Sequence, residues 1–87
     1  MEQFSRTISL VGQEAFDRVH RARVAVFGVG GVGGYVCEAL VRSGIAEIDL
    51  FDRDDVSISN LNRQIIALHS TIGQDKVDAM AARLKDI

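Results

Sequence analysis

An α/β fold with a doubly wound parallel sheet is predicted by three observations. The short apolar run Arg23-Val24-Ala25-Val26-Phe27 passes straight into Gly28-Val29-Gly30-Gly31-Val32-Gly33. A helix-like stretch follows, and then a second strand-like run, Glu47-Ile48-Asp49-Leu50-Phe51-Asp52. A strand, a glycine turn, a helix and a second strand in that order make a crossover unit, and such units are parallel and right-handed.

Leu10, Val11, Phe16 and Val19 recur near helical spacing with Glu14, Asp17 and Arg18 between them, so Leu10 to His20 reads as an amphipathic helix. Arg23 to Phe27 is β-branched and continuous, the pattern of a strand buried on both faces. The second helix runs from about Val32 to Ser43, with Gly44 as its C-terminal stop. Val32, Val36 and Leu40 share one side of it and Cys37 and Val41 another, which predicts cover on more than one side. Glu38 and Arg42 are its residues for water. After the second strand, Arg53 to Asn62 is a polar loop and Leu61 to Leu68 a short helix. Gly73 breaks the chain before a last helix over Gln74 to Lys85, with the stripe Val77, Met80, Ala81 and Leu84.

Composition narrows the class of function. The chain has 87 residues, 10 Lys+Arg against 12 Asp+Glu, a net charge of −2, and 47% hydrophobic residues. That balance belongs to an ordered domain and excludes a nucleic-acid module working by bulk charge alone. One cysteine allows neither a disulfide framework nor a cysteine-only zinc site. No metal ligand is assigned. The longest uncharged stretch, Val24 to Cys37, is short of the roughly 20 residues of a membrane span. The N-terminus lacks a basic-then-apolar signal pattern. A cytoplasmic protein without a membrane partner is expected. Two strands alone do not make a stable sheet, so the expectation is the N-terminal part of a larger domain over residues 1–87.

The chemistry starts at the glycines. Gly28, Gly30 and Gly33 have the G-x-G-x-x-G spacing, in which the first permits a tight turn, the second a close approach of backbone to phosphate, and the third close packing. The helix opening there offers free N–H groups and the positive end of its dipole to an anion. Asp52, at the end of the next strand, lies 19 residues beyond Gly33, about the distance at which a carboxylate meets a ribose. Asp54 and Asp55 stand close by as alternatives. A dehydrogenase is the first class such a loop suggests. However, Arg63 and Lys76 follow the ribose acid, and two fixed cations suit a triphosphate better than a dinucleotide.

These residues, with FDRDDVSISNLNRQ and Gly73-Gln74-Asp75-Lys76-Val77, resemble the ThiF/MoeB/HesA superfamily, relatives of the ubiquitin-activating enzyme that adenylate carboxylates with ATP. The resemblance runs from about Phe4 to Ile87. It implies a Rossmann-like fold, a β-α-β portion preceded by a helix. It also implies that Gly28, Gly30, Gly31 and Gly33 form the phosphate loop and that Asp52 binds the ribose hydroxyls. Asn60 and Arg63 would lie over the phosphates, and Lys76 would be the phosphate lysine. Arg6 matches an arginine that, in this superfamily, reaches the ATP of a partner subunit, so Arg6, Arg63 and Lys76 are the catalytic candidates and a homodimer is expected. Mg2+ is expected with the ATP.

Within the superfamily, NLNRQIIALHSTIGQDKV resembles the branch that cyclises threonylcarbamoyladenosine in tRNA, with Ile66 departing from a frequent histidine. The implied substrate is then a modified tRNA. The alternatives are activation of a ubiquitin-like sulfur carrier, with that protein as partner, and a non-catalytic nucleotide-binding or dimerisation module. Cys37 is expected to be core, His20 a helix-end residue beside Arg18, Arg21 and Arg23, and His69 a loop residue.

Overall fold

The computed structural model describes residues 2–87. Its elements are α1 (Ser5–Val11), α2 (Gln13–Arg21), β1 (Arg23–Phe27), α3 (Gly31–Arg42), β2 (Glu47–Phe51) and α4 (Lys76–Lys85), with 3-10 turns at Glu2–Phe4 and Ile58–Asn60. β1 and β2 pair in parallel, Arg23 opposite Glu47 through to Phe27 opposite Phe51. The crossover unit predicted around the glycines is therefore present, with α3 as its helix.

One side of this two-stranded sheet carries the core. Val26 is buried with Val29, Cys37, Val56, Ile66, Ala67, Ala79 and Met80, and Val24, Ile48 and Leu50 pack against them. Alternation along a strand sends the intervening residues to the other side. There Phe27 and Phe51 stack with ring centroids 4.7 Å apart, and Phe27 is 77% exposed. The expectation that β1 is buried on both faces is corrected: α3 and α4 cover one face only.

The same geometry limits α3. It buries Gly34 and Cys37, while Val32, Tyr35 and Val36 remain exposed, so its apolar surface is covered on one side rather than several. Glu38, expected in water, is instead a link between helices. Its side chain is only 16% exposed and accepts from Arg83 Nε at 2.9 Å, with Arg42 Nη2 3.5 Å away. The sequence pairs Glu38 with Arg42 along one helix; only the docking of α4 brings Arg83.

Three boundaries differ from the sequence reading, each for a local reason. The helix expected over Leu10 to His20 is two helices, because Gly12 takes φ 88° and ψ 155°, a conformation that side chains resist. Leu10 is consequently exposed, and only Phe16 of the expected stripe is buried. Phe16 stacks on His20, whose Nδ1 lies 2.7 Å from the carbonyl of Gly44. His20 thus holds α2 to the turn after α3 rather than merely ending a helix.

Leu61 to Leu68 is a series of turns, not a helix. Thr71 Oγ1 donates to the Ile66 carbonyl at 2.6 Å and accepts from the Leu68 N–H at 2.9 Å, and so diverts groups a helix would use. α4 starts at Lys76 rather than Gln74. The backbone before it is already paired with the loop after β2, Val56 N–H donating to Gln74 O and Gly73 N–H to Val56 O, both at 2.8 Å. That pairing places the start of α4 beside the end of β2.

Candidate nucleotide site

The site is assembled where both strands end. Gly28 turns the chain with φ 88°, and its N–H donates to Phe51 O at 2.7 Å, which ties the loop to β2. One residue on, the Val29 N–H donates to Asp52 Oδ2 at 3.0 Å. The other oxygen of Asp52 accepts from the Asp54 N–H at 2.9 Å. The candidate ribose acid is therefore also the clamp that sets the loop. Each oxygen of an ionised carboxylate has a second lone-pair direction, so a clamped Asp52 can still receive hydroxyls.

Burial pushes the Asp52 carboxyl up, but the N–H groups of Asp54 and Val29, the charge of Lys76 and the Arg53 N–H hold it, on balance, below its ordinary value of 3.8. A depressed carboxyl contributes stability that is present above the ordinary value and is lost as pH falls through the native one. Asp52→Asn is therefore expected to cost stability at neutral pH, with the gap from the wild type closing below about pH 3.8. Thermal melts of both proteins from pH 7 to pH 2.5 check this.

The glycines prove to have distinct duties. A Cβ on Gly33 would lie 1.7 Å from the Gly28 carbonyl oxygen, so the third glycine allows the helix to pass over the loop's own backbone. Gly30 caps α3 without a side chain, and no side chain bonds the helix's first turn. Its N–H groups therefore face the mouth of the strands, the arrangement that binds anions. At Gly30 the room for a side chain is taken by the Gln64 carboxamide, 2.7–2.9 Å from where a Cβ would sit. Gly31 has φ 37° and opens α3.

Lys76 is the first residue of α4, held by its N–H to Asp54 O at 3.0 Å. It is only 8% exposed and has no carboxylate within 4.0 Å among the described residues. Asp52 feels its charge. A cation at a helix N-terminus is disfavoured by the helix dipole.

The structure brings the glycine loop, Asp52 and Lys76 together. The remaining predicted residues are placed less directly. Asn60 is buried, and its Oδ1 accepts from the Ser57 N–H at 2.9 Å and from Ser57 Oγ at 3.1 Å, closing the 3-10 turn. Among the described residues its side-chain nitrogen has no hydrogen-bond partner, and it is the group left for a ligand. Arg63 is exposed and folds back on its own segment, Nη1 donating to Ser59 O at 3.1 Å and Asn62 Oδ1 at 2.9 Å. Arg6 is exposed on α1, which packs on α2 and the first 3-10 turn. Within one chain it is not part of the assembly.

The sequence singles out Gln64 within Asn60-Leu61-Asn62-Arg63-Gln64 but gives it no separate role, and Gly34 carries no signal beyond its place in a glycine pair. A Cβ on Gly34 would be 2.8 Å from Val29 O, so close approach to backbone requires glycine here as it does at Gly33. The doubled glycine was the available signal. Cys37 is fully buried, and burial pushes its thiol up, in keeping with a core residue. Of the cationic group near His20, Arg23 is engaged by Asp49 in a two-pronged pair at 2.7 and 3.0 Å.

Comparison with known proteins places this geometry in a family. Residues 4–87 match the ThiF family. The chain is 53% identical over 87 residues to the tRNA threonylcarbamoyladenosine dehydratase of Bacillus subtilis (strain 168), covering 100% of this chain and 34% of that one. The fold superposes on an E. coli tRNA N6-threonylcarbamoyladenosine dehydratase crystallised with ATP, with a TM-score of 0.94, 42% identity and cover of 98% of this chain and 35% of that one. Ubiquitin-like modifier-activating enzyme 5 of Bombyx mori is 44% identical over 72 residues, 83% of this chain and 18% of that one. The chain thus spans about a third of the length of the dehydratases it matches. By sequence and by the geometry of its glycine turn, the chain belongs to the ThiF family.

Proposed function

We propose that residues 2–87 form the ATP-holding part of an enzyme that activates a carboxylate, and that its substrate is the threonylcarbamoyl side chain of a modified adenosine in tRNA. The observation that carries the reading is the junction of the glycine loop, clamped Asp52 and buried Lys76 at one end of the strands.

In this reading a carboxylate oxygen attacks the α-phosphorus of ATP, pyrophosphate leaves with formation of an acyl-adenylate, and ring closure on the activated carbonyl releases AMP. Gly28, Gly30, Gly31 and Gly33 present backbone N–H groups to the phosphates, and Asp52 takes the ribose hydroxyls. Lys76, Arg63 and the Asn60 amide nitrogen hold the phosphate oxygens, so that negative charge growing on them meets fixed positive charge. Arg63 must first release Asn62 and Ser59. Arg6, free on the surface of α1, reaches the site of a second copy in a homodimer. Mg2+ accompanies the phosphates. The described residues offer no cluster of three or more metal-ligating side chains.

No helix among the described residues is long and apolar enough to cross a membrane, and the work is assigned to the cytoplasm, where its tRNA is. The likeness to ubiquitin-like modifier-activating enzyme 5 favours a second reading, activation of the C-terminus of a small ubiquitin-like protein.

The test is to incubate the intact protein with ATP, Mg2+ and tRNA carrying threonylcarbamoyladenosine, and to measure cyclic nucleoside and AMP together. Equal amounts of the two are expected. ATP–pyrophosphate exchange that depends on a ubiquitin-like carrier, without any cyclic nucleoside, would replace the first reading by the second.

A further inference from the structure

Gln64 has a carboxamide that the fold does not use. Its Oε1 is buried without any hydrogen-bond partner, and it is the one such side-chain atom among the described residues. Among the described residues its Nε2 has no hydrogen-bond partner either, although the Nε2 groups of Gln3, Gln13 and Gln74 all do. An amide oxygen buried without a partner costs stability, about 1–3 kcal/mol. A glutamine that served only to fill space would be better replaced by methionine or leucine.

The position of this amide is as specific as its isolation. It rests against Gly30, within 2.9 Å of the place a Cβ would occupy, and Gly30 is the residue that caps α3 without a side chain. The backbone of Gln64 is pinned by its N–H to Asn60 O at 2.9 Å and by its carbonyl to the Ala67 N–H at 3.0 Å. The amide is thus held from the opposite wall of the site, above the turn where the N–H groups of α3 emerge. The two ends of a carboxamide are nearly the same shape, and with no bond to lose, a half-turn about the last torsion exchanges them.

We infer that Gln64 is a phosphate ligand: its Nε2 donates to an oxygen of the phosphate seated on the first turn of α3. The inference rests on the ATP reading above and adds to it a neutral donor. A neutral donor adds a hydrogen bond to the phosphate without a further charge, where Lys76 and Arg63 already supply two. The requirement for glycine at position 30 then has a specific cause, since any side chain there would displace the amide.

The experiment titrates the intact protein with ATP and, by displacement, with adenosine, which has no phosphate. Gln64→Met is expected to melt no lower than the wild type, to bind ATP about tenfold or more weakly, and to bind adenosine unchanged. Gln64→Glu, the same shape with a negative charge, is expected to lose more ATP affinity still. Wild-type affinity for ATP in Gln64→Met would overturn the inference while leaving the ATP reading intact. Equal losses for ATP and adenosine would also overturn it, since they would mark a packing role. A wild-type protein that binds no ATP would remove both readings together.

Discussion

Alanine in place of Gly33 is expected to abolish measurable ATP binding by the intact protein and to lower its melting temperature. The new Cβ would stand 1.7 Å from the Gly28 carbonyl oxygen and 2.7 Å from its carbon, so backbone must move. No rotamer relieves the clash, because a methyl group has none. The loop cannot yield alone either, being tied to β2 through the Gly28 N–H on Phe51 O and the Val29 N–H on Asp52. Overpacking of this kind costs about 1–3 kcal/mol where side chains can share the strain, and the cost here is at the upper end or beyond. Calorimetric titration with ATP and a thermal melt read the two effects separately. Affinity within threefold of the wild type would mean that the loop geometry is not what binds phosphate.

The second large effect is expected at Lys76, and there stability and binding should part company. Lys76 begins α4 with no carboxylate within 4.0 Å among the described residues, so removing its charge relieves the dipole cost while giving up a longer-range attraction to Asp52. Lys76→Met, which keeps the length and apolar stem, is expected to melt close to the wild-type temperature. It is also expected to lose ATP affinity by about tenfold to a hundredfold, the range for a hydrogen bond to a charged group. A structural lysine would show the opposite pattern, with lower stability and unchanged binding.

Much of this was legible in the sequence because it depends on neighbours along the chain. The apolar run at Arg23–Phe27 and the glycines after it announce a strand and a turn together, and the parallel register followed. Spacing picks out Asp52 as the candidate ribose acid, yet its hold on the Val29 N–H depends on two strands ending side by side. Gln64 stands in the Asn60–Gln64 run that the sequence singles out, but no separate role for it is legible there. Its meaning lies in contact with Gly30, 34 positions earlier, and in bonds that it does not make.

The errors have the same origin. Leu61 to Leu68 has a helix-like pattern, but a hydroxyl at Thr71 takes the Ile66 carbonyl. Gly12 sits inside a helical period, and a period is blind to one residue with φ 88°. Glu38 looked solvent-facing until α4 delivered Arg83. Arg6 marks a different limit, since its assigned role belongs to a second chain.

The claim on which the rest depends is that this glycine loop, with Asp52 and two cations, holds a triphosphate rather than a dinucleotide. Parallel titration of the intact protein with ATP and with NAD tests it most directly. Saturable ATP binding that weakens in Lys76→Met is expected, with no competition from NAD at equal concentration. Tight binding of NAD that is indifferent to Lys76→Met would contradict it.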